Sequence, residues 1–249
     1  MCTQFSSTSR QEWFESKLKR KLPSTYAREV FPGYEAPILK SSQGQIEAQV
    51  SLARFGLIPA WAKDEKIARH TYNARSETVQ DKPSYKSAYG LRRFAVVLLD
   101  DFFEPCYEGA QIVRQRIQLQ SGEPFGVACL WETWRDKSLG ADAKPIDSFT
   151  MLTLNADAHP VMNKMHAPGD EKRTPLVLTI DQMERWLTAS HPEAREWLTG
   201  RFMPQLRSEP APQVRKARPK TPSREEAIES IQANDKDKDK DQPAQGSLF

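Results

Sequence analysis

Over IVRQRIQL, residues Val113, Gln115, Ile117 and Leu119 alternate with Arg114, Arg116 and Gln118, the two-residue period of a half-buried strand. A second apolar run, FGVACLWETW, follows Ser121-Gly122-Glu123-Pro124, so the pair predicts a hairpin turned at those four residues. RRFAVVLLDDFF is an apolar run of buried-strand length, and PILKSSQGQIEAQVSLARFGLIP predicts strands around a glycine-containing turn. FTMLTLNADA and TPLVLT add further strands. Helical spacing is confined to RQEWFESKLKRKL, with Trp13, Phe14 and Leu18 roughly on one face, and to the short DQMERWLTAS and PEAREWLTG. Strands dominate and no long βαβ alternation occurs. The expected class is therefore α+β, a mainly antiparallel sheet with peripheral helices. There is no internal repeat and no glycine-rich phosphate loop.

Composition changes this picture mainly at one end. The 249 residues suffice for one domain of about 200 residues with a full core. From Ser208 onward, proline, charge and polar residues replace almost every large apolar one, including the run DKDKDKD. Such a segment cannot bury enough apolar surface to offset its ordering entropy. The expected organisation is a folded domain at 1–207 and a disordered charged tail at 208–249. No run approaches the ~20 apolar residues of a spanning helix, and the N-terminus lacks the charged-then-apolar layout of a secretory signal. A cytoplasmic, nucleoid-associated monomer is expected, with no membrane partner. Cys2, Cys106 and Cys129 are scattered, which predicts neither disulfides nor a metal site, and no cofactor is expected. A net charge of +3 and a pI near 8.7 permit a nucleic-acid partner without requiring one.

Polar residues set within or beside the apolar runs are the candidates for chemistry: MCTQF, TYNARSET, LLDDFFEPCYE and VMNKMHAPGDEKRTPLVL. Cys2 stands directly behind the initiator methionine. Once Met1 is removed, that residue carries an α-amine with an ordinary pKa of about 7.7–8.0 and a thiol of about 8.5. The amine can form an imine with an aldehyde, and the thiol can close on the imine carbon to give a thiazolidine.

Cys2, NARSET, the acidic residue of FFE, the histidine ahead of RTPLVL and the stretch LARFGLIPAWAKD together resemble the SRAP family, the SOS response-associated peptidases, over roughly residues 2–190. The resemblance implies a barrel-like SRAP domain. It implies a sensor that traps the ring-opened aldehyde of abasic sites in single-stranded DNA covalently on Cys2. It also implies an autopeptidase that removes Met1, and a crosslinking, lyase-like reaction at the same thiol. Glu104 and His166 would be the proton carriers, with His159 the rival histidine, and Asn73 would hold the Cys2 amine or the sugar oxygen. A carboxylate just after a buried strand should have a raised pKa.

Arg75 and Arg173 match basic positions that hold phosphates. Trp61 would stack on a base or else plug the core, and Lys82 is near Pro83, which stands where the family often carries an arginine. Thr3 and Gln4 replace the family's usual glycine and arginine, and Pro105 replaces a tryptophan. Two other classes fit parts of the pattern: an N-terminal-nucleophile amidohydrolase or peptidase, and a noncovalent DNA-binding scaffold. Finally, QGSLF resembles the bacterial sliding-clamp peptide, with Gln245, Leu248 and Phe249 as its contacts.

Overall fold

The computed structural model describes residues 2–41, 48–109 and 111–212. Residues 42–47, within the stretch expected to carry a glycine-containing turn, most of the expected tail and QGSLF lie outside them. Among the described residues the strands are β1 (Phe5–Ser7), β2 (Glu29–Val30), β3 (Glu35–Lys40), β4 (Gln49–Phe55), β5 (Asn73–Arg75), β6 (Phe94–Glu108), β7 (Gln111–Leu119), β8 (Phe125–Trp134), β9 (Ile146–Asn155), β10 (Arg173–Pro175), β11 (Val177–Leu178) and β12 (Leu206–Pro210). The helices are α1 (Gln11–Leu18), α2 (Lys86–Gly90), α3 (Ile180–Thr188) and α4 (His191–Trp197). No helix of the described residues is long and apolar enough to cross a membrane.

Strands β8, β9, β4, β3 and β6 pair in that order, and β6 pairs back to β8, closing a five-stranded barrel. Closure removes the free edges that an open sheet would expose. All its pairings are antiparallel except β4 with β9, and β5 also joins β9 in parallel. Ala95, Val97, Leu99, Val127, Cys129, Phe149 and Met151 belong to one buried cluster that also contains Cys2 and Phe5. Their sequence neighbours Phe94, Val96, Leu98, Ala128 and Leu130 belong to another, shared with Phe14, Met183 and Trp186 of the helices. Both faces of these strands are therefore covered, which is why FAVVLL reads as unbroken apolar sequence instead of alternating.

Helix α3 seals the outer face. Its start is fixed by a capping box between Thr179 and Gln182, and it buries Met183, Trp186 and Leu187. The Trp186 indole donates to the Ala95 carbonyl at 3.0 Å. A Cβ at Gly126 would lie 2.3 Å from Val96 and 2.9 Å from Met183, so only glycine lets α3 pack this closely. Burial of each large α3 side chain stabilises the domain by roughly 1.5–3 kcal/mol.

The hairpin expected between residues 111 and 134 does not form. Strand β6 is 15 residues long, about 50 Å. Its first half, Phe94–Leu99, pairs with β8 inside the barrel; its second half, Phe102–Glu108, pairs with β7 beyond it. Strands β7 and β8 thus dock on successive halves of β6 and not on each other. TPLVLT is likewise split at Leu176, with β10 on β9 and β11 on β8. The compact unit runs to Pro212, because β12 pairs with β7 from Leu206 to Pro210.

Candidate active site at the N-terminal cysteine

Strand register carries Cys2 to its partners. Phe5 of β1 lies opposite Phe102 of β6, and the Phe103 amide donates to the Gln4 carbonyl at 3.0 Å. Continued by the same antiparallel count, the N-terminal segment runs along Glu104 and Pro105. Cys2 is fully buried, and its thiol donates to the Gln4 carbonyl at 3.7 Å. Burial pushes the thiol pKa far above its ordinary value, and the charge of Glu104 adds to this. At rest the residue is a thiol, and a base must take its proton before the sulfur can attack.

Glu104 is only 2% exposed and lies close enough for its charge to act on the Cys2 thiol. Desolvation raises its pKa to about 7, against an opposing pull from the N-terminal charge. At neutral pH the carboxyl is therefore divided between its acid and base forms. His166 Nδ1 lies 3.4 Å from Glu104 Oε2. His166 Nε2 lies 3.3 Å from the Arg173 carbonyl, which can only accept, so Nε2 carries the proton and the neutral ring offers Nδ1 as acceptor. Burial lowers the His166 pKa, which keeps the ring neutral. The pair thus holds one transferable proton, on Glu104 when that carboxyl is protonated.

His166 has φ of 64°, the left-handed region that a non-glycine residue rarely adopts. Its amide donates to the Pro105 carbonyl at 2.7 Å, and residues 165 and 166 bridge to Cys106. Such a conformation persists only where surrounding contacts over-determine it, and those contacts aim the imidazole at Glu104. His159 is elsewhere: its Nδ1 accepts from the Val161 and Met162 amides, both at 3.1 Å, capping a short 3-10 turn.

Asn73 enters from β5, where it lies opposite Met151 of β9. Its Nδ2 donates to the Cys2 carbonyl at 2.7 Å, while Oδ1 is buried and has no hydrogen-bond partner among the described residues. Cys2, Asn73, Glu104 and His166 therefore converge from four separate segments. Among the described residues no group of three or more His, Cys, Asp or Glu is placed to hold a metal ion.

The expected DNA contacts are distributed differently. Trp61 is 54% exposed, and its indole donates to the Pro83 carbonyl at 3.2 Å, which brings it beside exposed Lys82 on one rim. Arg75 is exposed and paired with Glu171 at 2.8 Å. Arg173 is buried and spoken for by Glu77 at 2.9 Å, by Glu171 at 2.8 Å and by Thr153. Sequence reasoning missed Glu171, the carboxylate that ties these two arginines together, and Glu77, which pairs with Arg173. Nothing in their spacing marks them, because Glu171 reaches Arg75 only through the fold. It also missed Arg114, whose Nε donates to Gln4 Oε1 at 3.1 Å.

Abasic site processing protein YoqW of Bacillus subtilis is 33% identical over 135 residues, 54% of this chain and 55% of the relative. The chain thus matches about half the length of that relative. Abasic site processing protein HMCES of Mus musculus is 43% identical over 129 residues, 47% of this chain and 33% of the relative. A crystal structure of a protein from Bordetella bronchiseptica superposes with a TM-score of 0.74 at 26% identity, covering 85% of this chain and 100% of that one. A crystal structure from Bacteroides thetaiotaomicron, at 22% identity and TM-score 0.69 over 85% of this chain and 93% of that one, shares the fold. Residues 1–214 match the SOS response associated peptidase (SRAP) family, and the chain belongs to that family.

Proposed function

We propose that this protein is an abasic-site trap that, once Met1 is removed by its own peptidase activity, joins Cys2 covalently to the ring-opened sugar in single-stranded DNA. The observation that carries the proposal is the burial of the Cys2 thiol against a carboxyl with pKa about 7, itself 3.4 Å from a neutral imidazole. Membership of the SRAP family and similarity to two abasic site processing proteins support it. On this proposal the protein works as a monomer in the cytoplasm, at the nucleoid, since one chain carries all four residues.

The chemistry balances with these groups alone. The Cys2 amine adds to the aldehyde carbon, giving a carbinolamine. Glu104 in its acid form protonates the departing hydroxyl, which leaves as water and yields the imine. Glu104, now a carboxylate, takes the thiol proton; sulfur bonds to the carbon of the protonated imine, whose C=N electron pair moves to the nitrogen, closing the thiazolidine. His166 relays the proton and assists opening of the sugar hemiacetal. Asn73 fixes the Cys2 carbonyl through Nδ2 and offers Oδ1 to the amine or a sugar hydroxyl. Trp61 and Lys82 would line the approach of the unpaired strand, and Arg75 would meet a phosphate. Arg173 would serve DNA mainly by holding Glu171 and Glu77 in place.

The test is denaturing electrophoresis after mixing the protein with abasic or intact single-stranded oligonucleotide, with a heat-stable shifted band expected for the abasic strand alone. The division of labour between histidines has its own outcome. Loss of neutral His166 should govern the acid limb of the crosslinking rate, below about pH 6.5, and His166→Ala should flatten it. His159→Ala should keep that limb and instead lower stability by about 1 kcal/mol through the lost cap. A flattened limb in the His159 variant alone would assign the proton relay to the other histidine.

The tail peptide is a separate proposal, supported by sequence only. Gln245, Leu248 and Phe249 would bind a bacterial sliding clamp, bringing the trap to replicating DNA through a long charged linker. Burying the two apolar side chains could supply roughly 1.5–3 kcal/mol each before ordering costs, consistent with a micromolar contact. A labelled 235–249 peptide should show clamp binding by fluorescence anisotropy, and its Leu248→Ala, Phe249→Ala version should not. Equal binding by the two peptides would contradict the contact.

A further inference from the structure

Arg114 sits beside the Cys2 site without a part in the chemistry described above. Its register partner on β6 is Pro105, and the next residue, Gln115, lies opposite Glu104. Its guanidinium lies 3.4 Å from the centroid of the Phe103 ring. Nε donates to Gln4 Oε1 at 3.1 Å, and Nη1 donates to the Ala211 carbonyl at 2.9 Å. Gln4 in turn supplies the carbonyl that receives both the Phe103 amide and the Cys2 thiol. The planar cation is thus clamped by a ring and two hydrogen bonds, one residue removed from the contact that holds the nucleophile.

The clamp leaves one corner of the fork available. Among the described residues the only carboxylate paired with Arg114 is Glu29, whose oxygen is 3.9 Å from Nη2 and whose side chain is 57% exposed. That ion pair is long and its carboxylate is exposed, so it contributes little, and a better anion can displace Glu29 from Arg114 while Glu29 Oε1 keeps the hydrogen bond it accepts from the Gln4 side-chain amide. A phosphate is such an anion, because the guanidinium fork matches its oxygens and a pre-positioned side chain loses little entropy on binding. Thr3 and Gln4 bring no charge of their own to this side of Cys2. An opened abasic sugar in DNA carries a phosphate on each side of the reacting carbon chain, whereas a free sugar carries none.

We infer that Arg114 is the cation that takes a phosphate flanking the lesion, displacing Glu29, and so makes Cys2 selective for an aldehyde held in a nucleic acid over the same aldehyde in a free sugar. The inference rests on the abasic-site function proposed above. It is tested by measuring Cys2 adduct formation with abasic single-stranded oligonucleotide across a salt series and, in parallel, with 2-deoxyribose. Arg114→Gln should slow the oligonucleotide reaction on the order of tenfold, lower the ratio of oligonucleotide to deoxyribose rates, and flatten the log-rate against log-salt slope by about one. Arg114→Lys should recover most of that slope, because it restores the charge. Glu29→Gln should speed the oligonucleotide reaction by removing the competing carboxylate. An unchanged salt slope in Arg114→Gln, or equal slowing of both substrates, would overturn the role and leave Arg114 a structural clamp. No adduct from the wild-type protein with either substrate would overturn the abasic-site function itself, and this role with it.

Discussion

Replacing Cys2 by serine is expected to abolish the heat-stable adduct with abasic DNA while leaving the fold intact. In variant protein freed of Met1 the α-amine remains, so an imine can still form, but a hydroxyl closes on it far less readily than a thiol. What remains is a reversible product that hydrolyses on heating unless a reductant traps it. The buried position argues that folding survives: serine is no larger than cysteine, and the Gln4 carbonyl that accepts from the thiol at 3.7 Å can accept from a hydroxyl. Circular dichroism should therefore match the wild type while the heat-stable band is lost. Equal stable yields from Cys2→Ser and wild type, without reductant, would remove the thiol from the mechanism.

The second large effect is expected at Glu104, and it runs in opposite directions for rate and stability. Glu104→Gln removes the group that both gives and takes protons, which should slow crosslinking by roughly 10²–10⁴. For stability, the sign follows from the raised pKa. The carboxyl ionises in the unfolded chain near its ordinary 4.5 and in the folded chain at about 7. Between those values the folded state holds a proton that the unfolded state has lost. Stability is thus fully present below about pH 4.5 and falls as pH rises through about 7. At about 1.4 kcal/mol per pKa unit, the loss is on the order of 3 kcal/mol. A glutamine side chain cannot ionise, so Glu104→Gln should be flatter than wild type across this window in denaturant titrations, and relatively more stable at pH 8. Parallel stability curves for the two proteins would show that burial does not hold the Glu104 proton.

How much of this was legible in the sequence depends on whether a residue acts locally. The fully apolar FAVVLL run announced a strand buried on both faces, and that strand builds the barrel. The site residues were visible because each sits in a distinctive local motif, although their meeting was not. Cys2 reaches Glu104 through β1–β6 register, and His166 reaches it through a left-handed backbone that no propensity predicts. The β7–β8 hairpin was misread because turn chemistry at residues 121–124 says only that the chain reverses. The 15-residue β6, which offers each strand a separate half, decides which pairs form. Arg173 was expected to hold a phosphate, and its burial was not legible because a charged residue gives no sign of burial until its partners are known. Glu171, two residues before it, and Glu77, from a distant part of the chain, supply those partners, and they make a 2% exposed arginine tolerable.

The central claim is that the mature N-terminal cysteine, and no other nucleophile, forms the bond to the lesion. Intact-mass spectrometry of the full chain, before and after incubation with uracil-glycosylase-treated single-stranded oligonucleotide, tests it most directly. The account predicts a protein lacking Met1, and then a single new species equal to that protein plus one oligonucleotide minus one water, stable to heat and mapping to Cys2 after digestion. A protein that retains Met1 and still forms the adduct, or an adduct that maps to any residue other than Cys2, would contradict it.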